Sequence, residues 1–231
     1  MRLRKARALA GLVFAAAFAI ALLADVLFPT TAQHTGNSPL TSELPNKFQF
    51  YQTNSIMPGA AFLHGDTVTL RTIEREDIDF LHEMINNPDL WQGFGAPNPR
   101  SRHTVAQQFE EQNTDVELLI CRDEAPAGRV RLVDIDKDWG NAELTCYVAP
   151  EFHGRGLATE ACQLLIGYGF DHLPVTKIVA RIFDSNRASR GLAEKLGFTH
   201  EGTLRNHVYH NGRHLDLHHY GLLAEDWRTE T

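Results

Sequence analysis

Cysteine is scarce in this 231-residue chain: Cys121, Cys146 and Cys162 are odd in number, far apart and never in a CxxC pair. Such a set excludes a disulfide framework and a cysteine-based zinc site and fits a reducing compartment. Cys146 and Cys162 read as small buried apolar side chains. Positive charge is also short, since residues 57–231 hold 17 basic against 27 acidic residues. That balance argues against nucleic-acid binding through bulk charge. No lysine anywhere precedes a serine or threonine, so a Walker A loop is absent. The dinucleotide fingerprint G-x-G-x-x-G finds only its first two glycines, Gly154 and Gly156, with Thr159 in the third place. What the chain does have is 43% apolar content, enough to bury a proper core and to exclude a disordered protein.

One long apolar run stands at the start. Four positive charges in "MRLRKAR" lead into Ala8–Ala24 without a charge, long enough for a short spanning helix and slightly long for a signal-peptide core. Residues 1–28 therefore read as a leader or anchor outside the fold, residues 29–64 as a linker rich in Thr, Ser, Asn, Gln and Pro, and residues 65–231 as the folded domain. A membrane is a partner only if residues 8–24 are an anchor. The alternative start at Met57, just ahead of the first strand, makes residues 1–56 a wrongly extended reading or a dispensable leader; a signal anchor and a cleaved signal are the competing readings.

Val68 and Leu70 alternate with Thr67, Thr69 and Arg71, which predicts a half-buried strand. Ile78, Leu81, Met84 and Ile85 recur at helical spacing before Pro88. "WQGFGAPNPRSRH" reads as a Gly/Pro-rich loop, residues 104–111 as a second helix, and "VELLICR", "AGRVRLVDI" and "AELTCYVA" as three strands. A helix over 157–170, the strand "KIVARIF", a helix "RASRGLAEKLG" ended by Gly197, and a final hairpin turning at Asn211-Gly212 and closing with "LDLHHYGLL" complete the series. The order predicts one mixed α/β (α+β) domain without internal repeats.

"YVAPEFHGRGLATEA" places a flexible cationic corner between a strand and a helix. Unpaired N–H groups converge there at the positive end of the helix dipole, a site suited to phosphate, and two glycines permit positive φ and close approach. A plain strand-to-helix turn with a solvated Arg155 is the alternative. "FHGRGLATEA", "NRASRGLAEKLGF" and "EGTLRNHVYHNGRHLDLHHYGLL", in that order over roughly residues 65–228, together resemble the GNAT superfamily of acetyl-CoA-dependent N-acetyltransferases, in its ribosomal-protein N-terminal acetyltransferase (RimJ/RimL-like) branch.

The resemblance implies a GNAT fold, with a mixed, mostly antiparallel sheet flanked by helices. It also implies acetyl-CoA as co-substrate, no metal, and a cytoplasmic enzyme acetylating a primary amine, either a protein N-terminus or a small molecule. His153, Gly154, Arg155, Gly156, Leu157, Ala158 and Thr159 match the pyrophosphate loop, with His153 in place of the usual Gln or Arg. The strand around Tyr147 and Val148 pairs in the family with the pantetheine arm and supplies an N–H to the oxyanion. Glu143 matches a catalytic carboxylate, Asn186 a pantetheine contact and Ser189 a proton donor near the sulfur. Local readings remain open beside these: Glu143 as an exposed strand residue and Asn186 as a helix cap. Ala193 stands where many members carry a tyrosine acid. Asp216 falls where the branch often has an Asp. Of His207, His210, His214, His218 and His219, some are expected to line the acceptor groove. A GNAT-fold module that holds acyl-CoA without turnover is the alternative function.

Overall fold

Apolar residues on the strands divide by parity, and that division builds the molecule. Leu118, Ile120, Val130, Leu132, Ala142, Val148, Ile178, Ala180, Ile182, Tyr220 and Leu222 are buried in one layer. Leu119, Cys121, Tyr147 and Ala149 are buried in a second. Even and odd residues point to opposite faces because side chains alternate across a pleated strand. The computed structural model describes residues 59–94, 98–110 and 116–230. The leader and most of the linker lie outside the described residues. Among the described residues no helix is long and apolar enough to cross a membrane.

Eight strands form one open sheet: β1 (Ala61–His64), β2 (Thr69–Arg71), β3 (Val116–Arg122), β4 (Ala125–Asp136), β5 (Asn141–Val148), β6 (Lys177–Phe183), β7 (Thr199–His210) and β8 (Arg213–Leu223). Their spatial order is β1-β2-β3-β4-β5-β6-β8-β7. Every neighbouring pair is antiparallel except β5 with β6. Six helices flank it: α1 (Ile78–Ile85), α2 (Pro88–Phe94), α3 (Arg102–Glu110), α4 (Leu157–His172), α5 (Arg187–Lys195) and α6 (Ala224–Glu230). The architecture is the single α+β domain with a mixed, mostly antiparallel sheet that the sequence predicts.

α4 and α5 cover the even face. Leu157, Ala161, Cys162, Leu165, Ile166 and Phe170 of α4 join the first layer, as does Ala193 of α5. Fully burying one such leucine or isoleucine contributes about 1.5–3 kcal/mol. α1 to α3 cover the odd face through Ile78, Phe80, Leu81, Met84, Leu90 and Val105. The junction of β2 with α1 is fixed by a buried bidentate pair, Arg71 Nη2 to Asp77 Oδ1 at 2.6 Å and Nη1 to Oδ2 at 3.0 Å.

Three elements depart from the sequence reading. "WQGFG" does not begin a loop: Trp91–Phe94 complete α2, which starts at Pro88, a residue suited to the first turn of a helix. β1 pairs with β2 ahead of Gly65. α6 follows β8, with Trp227 packed on the first layer.

Candidate active site

β5 and β6 run side by side for only three pairs, Asn141/Lys177, Ala142/Ile178 and Glu143/Val179. Beyond Glu143 each strand keeps its outer partner. β5 stays on β4 as far as Val148/Gly128, and β6 stays on β8 as far as Phe183/Leu217. The sheet is therefore split down its middle, and the inner edges of Leu144–Val148 and Ala180–Phe183 face a gap instead of each other. Such an edge offers backbone donors and acceptors to an extended, amide-bearing chain.

Two cavities continue the split. One, of about 650 Å³, brings together Tyr147, Val148, His153, Gly154, Gly156, Leu157, Ala158, Thr159, Asn186 and Ser189, so ten of the residues singled out from sequence share one space. The second, of about 390 Å³, passes through the split and is lined by Glu143, Asn186 and Ser189 together with Arg131, Thr145 and Arg181. Gly93, Cys146, Asn186, Ser189 and Leu192 border both. Gly93 brings α2 close: a Cβ there would stand 2.9 Å from Asn186 Nδ2.

The glycine corner has the geometry a phosphate requires. Gly154 and Gly156 have φ of +72° and +82°, and a Cβ built on either meets nothing within 4 Å. Gly156 caps α4 in the left-handed conformation, and the first intrahelical bond runs from Glu160 N to Gly156 O at 3.1 Å. The N–H groups of Leu157, Ala158 and Thr159 thus precede the helical ladder and open toward the larger cavity. His153 turns inward, its Nε2 lying 2.8 Å from Val148 O. Arg155 borders neither cavity; its guanidinium rests 5.8 Å from the Phe152 ring centroid.

At the start of α5, Asn186 Oδ1 accepts from Ser189 N at 3.1 Å, so the cap is real. Only the amide oxygen is committed to it; Nδ2 remains on the cavity side beside Gly93. Ala193 is buried and lines the smaller cavity. Glu143 is 9% exposed and pairs with Arg181 Nη2 across the end of the β5–β6 ladder. That hydrogen bond holds the Arg181 guanidinium above its ordinary pKa, against the opposing effect of partial burial. Arg181 escapes sequence reasoning because its nearness to Glu143, 38 positions away, comes from strand pairing alone.

The histidines do not line the groove as expected. His207 and His214 are exposed, and His214 packs on Tyr209 with ring centroids 5.3 Å apart. His210 is buried against Phe183, and His218 joins His200, Thr203 and Asp184 in a hydrogen-bonded group. Only Leu217 represents the hairpin in the smaller cavity. Asp216 Oδ1 accepts from Asn206 N at 2.8 Å, holding the positive-φ residue of a β7 bulge, which is a structural task. Among the described residues no group of three His, Cys, Asp or Glu side chains is arranged to hold a metal ion.

Residues 67–199 match the family model described as an acetyltransferase (GNAT) domain, more than half of the chain. The chain belongs to the GNAT acetyltransferase family. It is 33% identical over 173 residues to the Bacillus subtilis protein named "Putative ribosomal N-acetyltransferase YdaF", covering 71% of this chain and 94% of that one. To the spermidine N(1)-acetyltransferase of Escherichia coli K12 it is 28% identical, covering 64% of this chain and 81% of that one. The crystal structure of a Vibrio cholerae spermidine N-acetyltransferase with CoA and spermine superposes with a TM-score of 0.67 at 26% identity, over 71% of this chain and 99% of the other. The GNAT domain and these relatives make the chain an acetyl-CoA-dependent acetyltransferase. Their names divide between ribosomal and polyamine acetyltransferases, so they support the GNAT superfamily and not the RimJ/RimL-like branch in particular.

Proposed function

We propose that the protein transfers the acetyl group of acetyl-CoA to a primary amine, a protein N-terminus or a small molecule, at the apex of the split between β5 and β6. The observation that carries this reading is the convergence of three features on one gap: the N-termini of α4 and α5, the unpaired inner edge of β5, and the Glu143 carboxylate. The glycine corner and the first turn of α4 hold the pyrophosphate through N–H groups. The edge around Tyr147 and Val148 takes the pantetheine arm, with Asn186 Nδ2 as a further donor.

At neutral pH the acceptor arrives as an ammonium. Glu143, directly or through water, removes its proton, and the free amine attacks the thioester carbonyl while a β5 N–H meets the developing oxyanion. The carbon–sulfur bond breaks and the departing sulfur takes a proton from Ser189 or water, because Ala193 offers none; the proton that the former amine nitrogen sheds on becoming an amide returns to that donor through solvent. Consumption of acetyl-CoA fits a cytoplasmic setting. A coupled thiol-release assay with acetyl-CoA and a panel of amines tests the reading: release that depends on an amine supports it. Tight coenzyme binding with no release for any amine favours the binding-only alternative, which draws on Ala193 and on the guanidinium already seated on Glu143.

A further inference from the structure

Glu143 and Arg181 share the odd face of the sheet, and on the acetyl-transfer reading the amine reaches Glu143 among charges that are not those of a site for polycations. Among the described residues lining the smaller cavity, the charged groups are Arg131, Arg181 and Glu143, and the one carboxylate is already paired with Arg181. The two members of that pair differ in access: the Arg181 side chain is 47% exposed and that of Glu143 11%. An incoming acceptor therefore meets the guanidinium before the carboxylate.

The neighbouring charges leave that order in place. Asp134, at 80% exposure, approaches Arg181 only to 3.8 Å, beyond hydrogen-bond distance. Arg129 and Glu117 neutralise each other deeper in the face at 2.6 Å. Arg131 donates through Nε to Thr145 Oγ1 at 3.1 Å. Directly across from Arg181 in the β6–β8 ladder stands His219, which lines neither cavity and whose Nε2 is buried. A half-exposed planar guanidinium on the cavity wall matches a carboxylate better than an ammonium.

We propose that Arg181, seconded by Arg131, selects acceptors that bear an anionic group close to the reacting amine and disfavours polycationic amines. The inference rests on the acetyl-transfer reading above and narrows its substrate class. Arg181 acts here as a specificity residue: it sets which amine is brought to Glu143.

The test compares kcat/KM of the full-length protein for four acceptors at fixed pH: the dipeptide amides Gly-Asp, Gly-Asn and Gly-Lys, and spermidine. The expected order is Gly-Asp, Gly-Asn, Gly-Lys, with spermidine below Gly-Asn. Gly-Asp should exceed Gly-Lys by about ten-fold, the product of a gain and a loss of a few-fold each for half-exposed charges. The ratio should shrink as salt is raised toward 0.5 M, an approximate range where the Debye length falls to a few ångströms. Arg181→Gln should bring it to about one, and Arg181→Glu should invert it. Wild-type preference for Gly-Lys or spermidine overturns the inference while leaving acetyl transfer intact, and so does an Arg181→Gln protein with an unchanged ratio. Coenzyme binding without product from any of the four overturns the acetyl-transfer reading, and this inference with it.

Discussion

Gly156→Val isolates the phosphate corner from the rest of the molecule. At φ +82° and ψ −6° the residue sits in the left-handed region, where a β-branched side chain is a strong outlier. A Cβ there meets nothing within 4 Å, so no packed neighbour is displaced and the cost in the free protein is backbone strain of about 1–3 kcal/mol. For a domain of this size each kcal/mol lowers Tm by about 2–4 °C, so the strain alone shifts Tm by no more than about 12 °C.

On the proposed reading, the empty space that spares the free protein is the space the pyrophosphate occupies. If the backbone keeps its φ, the valine methyls project toward the ligand. If it relaxes, the N–H groups of residues 157–159 are re-aimed. Either way CoA binding should weaken by about two orders of magnitude, as expected when several charge-assisted hydrogen bonds are lost. His153→Ala, which removes only the ring bonded to Val148 O, should cost less than about five-fold, near the value of one neutral hydrogen bond. Titration calorimetry with CoA beside thermal denaturation reads both quantities. Equal, small losses of affinity in the two variants would refute the assignment of the corner to phosphate.

Glu143→Gln should lower kcat by about 10²- to 10⁴-fold with CoA affinity unchanged, and the deficit should narrow as pH rises and free amine becomes available; wild-type turnover at neutral pH would return Glu143 to a structural role. Asn186→Asp keeps the oxygen that caps α5 and loses the nitrogen facing the cavity, so melting should be preserved while CoA affinity falls, whereas Asn186→Ala should lose about 1 kcal/mol of stability as well. Burial pushes the Cys121 thiol up to about 11, outweighing the opposing Arg71 guanidinium, so iodoacetamide at pH 8 should leave it unmodified until the protein unfolds, as peptide mapping will show. Desolvation raises the pKa of Glu160, but hydrogen bonds from Thr67 Oγ1 and from the backbone N–H groups of Thr67, Asp66 and Val68 overcome it and hold the carboxyl below its ordinary value. The stability it adds is fully present above the unfolded-state pKa of about 4.3 and is lost as pH falls through the lower folded value, so Thr67→Val should narrow the difference in melting temperature between pH 7 and pH 3.

Local features of the site were legible in the sequence, whereas features that depend on register were not. The glycine corner, the Asn186 cap and Ser189 each lie within a few residues of the turn or helix start that gives them meaning, and ten of the chosen residues line one cavity. Arg181 gains its partner from the three-pair parallel ladder that sets β6 beside β5, and nothing in "KIVARIF" announces that alignment. The same division runs through the fold. β3 was legible because its centre, Leu118–Cys121, is a continuous buried apolar run. α2 was hidden by Pro88 and Gly93, residues that punctuate loops but here start a helix and admit a close neighbour. β1 is exposed at three of its four positions, so it has almost no apolar pattern to detect. Asp216 matches a family position and also has a local task, since its carboxylate holds the backbone bulge in β7.

The split sheet also bears on how the enzyme behaves once product accumulates. Only three backbone ladder pairs join the halves, and on the proposed reading the arm of the coenzyme supplies the missing ladder between them. That arm is identical before and after the acetyl group leaves. A gap that recognises peptide-like amides and a pyrophosphate has little means of telling spent coenzyme from fresh, because nearly all its contacts are uniform across the reaction. Free CoA is then a competitor for its own precursor, and turnover is governed by the ratio of acetyl-CoA to CoA around the enzyme as much as by the supply of amine.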